Sequence, residues 1–108
     1  MANDPGEDDR PFVFRAEPFV WDNQEVRAYE AAIDALHDII GRFSSAIWKE
    51  EHQSQPDRER LNHLCRRQNH YVELRDGLRL VDQEKIAEVR RECANLRLNF
   101  ESVDGPPG

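Results

Sequence analysis

Residues 26–47, VRAYEAAIDALHDIIGRFSSAI, decide the fold. Within them Val26, Tyr29, Ile33, Leu36, Ile40, Phe43 and Ile47 recur in alternating steps of three and four, which sets all seven on one seam of an α-helix. Ala32, Ile39 and Ala46 widen that seam on one side. Asp22 supplies an N-cap with Glu25 three residues on, so the spacing predicts a helix over 23–52. Such a helix has roughly 30 residues and is about 45 Å long at the standard rise.

His52-Gln53-Ser54-Gln55 before Pro56 reads as a turn, with Pro56 in the first turn of a second helix and Asp57 and Glu59 at its positive end. That helix, expected over 56–76, carries Leu61, Leu64, Cys65, Tyr71, Val72, Leu74 and Leu78, with Gln68 and Arg75 interrupting the stripe. Asp76-Gly77 is a stop signal and Asp82 a new cap. A third helix over 82–100 then presents Ile86, Val89, Cys93, Leu96 and Phe100. Continued in steps of three and four, the stripe of Leu61 and Leu64 reaches position 85 and misses Ile86 by one residue, so a kink or short loop is expected near 76–82. The fold class is therefore all-α: an antiparallel helical hairpin or three-helix bundle with one long N-terminal helix, expected to assemble into a larger bundle.

Outside the helices, residues 1–10 and 101–108 hold little that a core can bury and are expected to be disordered tails. Between the first tail and the first helix, Pro11-Phe12-Val13-Phe14 and Pro18-Phe19-Val20-Trp21 repeat a Pro-Phe-Val-aromatic unit. Their prolines favour an extended aromatic arm over 11–21. Phe12, Phe14, Phe19 and Trp21, with Trp48 at the far end of the first helix, are the candidate partner-binding residues, because large aromatics anchor interfaces. The arm has two available roles, docking on its own bundle or on another chain.

The 108 residues carry a formal charge of -7. That balance disfavours general binding to nucleic acid or anionic membranes, which takes a basic surface. Residues 22–52 hold seven acids against three bases, whereas 53–76 and 77–100 each hold four acids against five bases. Side-by-side packing of the first helix on the others is thus electrostatically permitted. No apolar run reaches membrane-spanning length, and the acidic start differs from a signal peptide, so the expected location is the cytoplasm. Cys65 and Cys93 are expected to be reduced packing residues.

Three constellations bear on chemistry. Glu30, Asp34 and His37 share a helix face, but no Glu-x-x-His motif accompanies them, and no metal or cofactor is expected. The stretch Leu36-His37-Asp38-Ile39-Ile40-Gly41-Arg42-Phe43-Ser44-Ser45-Ala46-Ile47 resembles the phosphoacceptor helix of bacterial histidine kinases with a His-Asp box. That resemblance covers about a dozen residues and implies His37 as phosphoacceptor, with Asp38 its neighbouring carboxylate; the charged run usual before such a histidine is replaced by Ala31-Ala32-Ile33. Arg58-Glu59-Arg60-Leu61-Asn62-His63 is similar in its Arg-x4-His spacing to HEPN-type ribonucleases, which implies RNA chemistry at Arg58 and His63. The reading that best accommodates the whole chain is a small non-catalytic protein–protein interaction module, acting on itself or on a different protein, with no small-molecule substrate evident.

Overall fold

The computed structural model describes residues 23–100, which form three α-helices: α1 (Asn23–Glu51), α2 (Arg58–Gly77) and α3 (Gln83–Leu98). Asp22, the arm and both tails lie outside the described residues. The long helix α1 is the spine. Alongside it α2 runs antiparallel, since Arg60 meets Glu50 while Gln68 reaches Ile40. Parallel to it runs α3, since Gln83 lies beside Gln24 and Ala28, and Arg97 beside Asp38. Both shorter helices pack extensively on α1.

Each boundary has a local cause. The first turn of α2 is capped by Asp57, whose side chain accepts the backbone N–H of Arg60 at 3.1 Å. This cap begins the helix at Arg58, so Pro56 stands before the cap instead of inside the first turn. The Asp82 side chain accepts from the Lys85 N–H at 3.1 Å and starts α3 in the same way. Gly77 ends α2 without a left-handed backbone. The chain leaves the helix at Leu78, which is extended (φ -72, ψ 134) and buried. Burial of that leucine, more than glycine's freedom, sets the exit. α3 stops at Leu98, yet Phe100 is still buried and meets Phe43 edge-on at 5.1 Å.

The core is made of Ala32, Leu36, Ile39, Phe43 and Ala46 from α1, Leu61, Leu64 and Tyr71 from α2, Leu78 from the connection, and Ile86, Val89, Cys93 and Phe100. Leu36 and Phe43 belong to the expected seam and are fully buried. Val26, Tyr29, Ile33, Ile40 and Ile47 are only half-buried. The most buried line on α1 is turned by roughly 70° from the seam toward the alanine side. Two neighbours cause this: α2 lies on the flank carrying Ile40 and Ser44, α3 on the flank carrying Ala35 and Asp38, and the buried line runs between them. On α2, Val72 and Leu74 are half-buried and Cys65 is exposed, so only Cys93 packs as expected.

Candidate interaction surface

At the α1–α2 turn the Glu50 carboxylate does two jobs. One oxygen accepts the Asp57 backbone N–H at 2.9 Å, and the other lies 3.4 Å from Arg60 Nε. Farther along, Gln68 Nε2 donates to the Ile40 carbonyl at 3.1 Å and to Ser44 Oγ at 2.7 Å. The glutamine that breaks the apolar stripe of α2 is therefore a cross-link between helices. Phe43 lies at the meeting point of all three helices, stacked on Tyr71 at 5.9 Å and crossed by Phe100. Tyr71 donates its hydroxyl to Glu92 at 2.9 Å, joining α2 to α3, and His70 Nε2 lies 3.6 Å from the same carboxylate. Burial, then the Glu92 hydrogen bond, push the Tyr71 hydroxyl above its ordinary pKa. Burial, reinforced by Glu92 and Asp38, pushes the Cys93 thiol up to about 11.

Of the candidate partner-binding aromatics, Phe12, Phe14, Phe19 and Trp21 lie outside the described residues. Trp48 is 59% exposed at the end of α1. Its ring stacks on His52 at 4.0 Å, and His52 Nδ1 lies 2.8 Å from the Trp48 carbonyl. The indole is thus held in place while facing solvent. Among the described residues two further large apolar side chains are exposed, Val81 and Leu98, the latter at 83%.

The residues singled out for chemistry are scattered. His37 is exposed, and Asp38 beside it pairs with Arg42 at 3.1 Å and with Arg97 at 4.0 Å. Glu30 and Asp34 are exposed too, and no cluster of three metal-ligating side chains occurs among the described residues. Arg58 and His63 are both exposed, but five residues on one helix are about 140° apart, so they do not share a face.

A feature the apolar seam did not disclose is a groove between α1 and α3. Two clefts, of about 560 Å³ and 440 Å³, share Ala31 and Arg90 and so form one trough. Gln24, Ala28, Ala31, Ala35 and Asp38 line its α1 side in steps of four and three, and Arg90, Ala94 and Arg97 line its α3 side. Those alanines were a readable signal, a second stripe of small residues beside the core stripe. Their short side chains leave space where larger ones would have closed the groove.

No known protein family, curated protein or solved structure matches this chain. Among the described residues no helix is long and apolar enough to cross a membrane.

Proposed function

We propose that this chain is a helical module that binds another protein chain, a second copy or a different protein, and that it performs no chemistry of its own. The observation that carries this reading is Trp48. An indole left 59% exposed, yet fixed by stacking on His52, keeps its apolar face available and has already lost much of its rotational freedom. Preorganised exposed aromatics are what interface anchors consist of. The length of α1 supports the same reading: its 29 residues outreach α3's 16 by about 20 Å, leaving one flank of its C-terminal part without a neighbouring helix.

The test compares the full chain with Trp48→Ala by light scattering coupled to size exclusion, alongside far-UV circular dichroism. Self-association predicts a mass above 12.7 kDa that falls to 12.7 kDa in the folded variant. If both are monomers, a purified interaction partner must bind the parent at least ten-fold more tightly than the variant. Equal masses together with equal partner affinity would sink the proposal.

Phosphotransfer through His37 is the second reading, favoured by the exposure of that imidazole on a helical hairpin. In that reaction an imidazole nitrogen attacks the phosphorus of acetyl phosphate, acetate leaves, and the ring proton passes to water. An acid-labile phosphate label that His37→Gln abolishes supports it; an unlabelled protein removes it.

A further inference from the structure

We propose that the groove between α1 and α3 is the docking site of this chain's own aromatic segment, residues 11–21. The inference is separate from the role given to Trp48 and stands or falls on different residues.

Position comes first. Segment 11–21 joins the described chain at Asn23, and the wider cleft opens at Gln24, Glu25 and Gln83, so the covalent connection delivers the segment to the mouth of the groove. Length agrees. From Gln24 to Asp38 the groove runs 14 helical residues, about 21 Å. From Phe12 to Trp21 the chain can span up to about 30 Å, enough to cover the groove with length to spare for a bend within the segment, and residue 22 is left for the reversal into α1.

Pattern agrees as well. Residues two apart in an extended backbone point the same way, so Phe12 pairs with Phe14 and Phe19 with Trp21; the two pairs are an odd number of residues apart, and a bend at Pro18 is what turns both toward the groove. The groove has two clefts, each with an alanine floor. With Trp21 nearest Asn23, the pair Phe19 and Trp21 takes the cleft lined by Ala28 and Ala31, and Phe12 and Phe14 take the one lined by Ala35 and Ala94. Leu98, one turn beyond Ala94 and 83% exposed, extends the apolar rim there. Between the pairs the segment carries Glu17 and Arg15, and the waist of the groove offers Arg90, shared by both clefts, and Asp34. In this direction Glu17 meets Arg90 and Arg15 meets Asp34, whereas the reverse direction sets like charges together. Covalent attachment makes the contact intramolecular, at an effective concentration in the millimolar range for a short connection.

The test uses the full chain with Trp48→Phe, so that Trp21 is the sole indole. Docking predicts blue-shifted Trp21 emission, protected from acrylamide and unchanged on hundred-fold dilution. Adding Ala31→Arg, which fills the shared floor of both clefts without touching the core, returns the emission to that of free indole. Adding Phe12→Ser and Phe14→Ser instead, outside the helices, loosens the same contact and increases quenching at unchanged helicity. Arg90→Glu weakens docking and Glu17→Arg restores it. The proposal is overturned if Trp21 emits as free indole in the parent, if neither groove nor segment variants alter its emission, or if the blue shift vanishes on dilution as the mass halves. That last result would assign the groove to the segment of a second copy.

Discussion

The two interfaces of α1 are built differently. Against α2 it is fastened by polar contacts that tolerate no sliding: Gln68 to the Ile40 carbonyl and Ser44, and Glu50 to both Arg60 and the Asp57 backbone. Against α3 it relies on Ile86, Val89 and Cys93, and the contact from Arg97 to Asp38 on that flank is long, at 4.0 Å, and exposed. Directional hydrogen bonds fix register, while apolar burial alone supplies energy and leaves lateral position less constrained. The α3 flank is also where the groove opens. The chain thus combines a register-locked hairpin with a third helix held mainly by greasy contact.

The harshest way to break this contrast is Phe43→Ala, because Phe43 serves both interfaces. A loss of about 3–5 kcal/mol is expected, enough to unfold much of a domain this small, and urea titration followed by circular dichroism measures it. Next come Leu64→Ala and Ile86→Ala, one on each flank, each expected to cost about 2–5 kcal/mol. They should differ in form. Leu64→Ala is expected to lower one cooperative transition, whereas Ile86→Ala produces an earlier, separate loss of the helicity that α3's 16 residues supply. A single coincident transition in both variants would show the flanks to be one unit.

Alkaline pH loads the α3 flank through Cys93, together with Tyr71 on α2, whose hydroxyl pKa is also raised by burial. The Cys93 thiol ionises at an ordinary 9.0 when unfolded and at about 11 when folded, so its stabilisation is complete below pH 9 and is lost as pH rises toward 11. Urea midpoints between pH 8 and 11 are expected to fall less steeply in Cys93→Ala than in the parent. The smallest effects sharpen the polar side of the comparison. Gln68→Ala is expected to cost about 1 kcal/mol, and Asp38→Asn no more than about 0.5 kcal/mol because its partners are solvent-exposed. Equal costs for the two would contradict the difference in fastening.

Helices and breaks were legible because their signals are local. The seam through Leu36 and Phe43 announced α1, and the caps Asp57 and Asp82 and the phase slip between Leu64 and Ile86 announced the other two. Which side of that seam would be buried deepest was not legible. It depends on the angle at which two separate helices approach α1, and periodicity reports only that an apolar face exists. Gln68 looked like an interruption since its acceptors, Ile40 and Ser44, are 28 and 24 residues away. Cys65 looked like core because it adjoins Leu64, yet one residue of helical rotation turns it outward. The aromatics at 12–21 were conspicuous, but the groove proposed for them is lined by alanines, which no hydrophobic pattern ranks highly.

The double duty of Glu50 has a consequence for the segment between the helices. Since α1 and α2 are clasped by side chains on the helices themselves, and Gln53 bonds back to the Lys49 and Glu50 carbonyls, Ser54 and Gln55 contribute little beyond covalent continuity. Lengthening that stretch with glycine and serine then costs only chain entropy on closure, about 0.6 kcal/mol for each doubling. A series of insertions after Ser54 should follow that shallow logarithmic slope, and adding Glu50→Ala should make the same insertions markedly more costly. The turn is therefore a permissive site for placing a foreign sequence in this molecule.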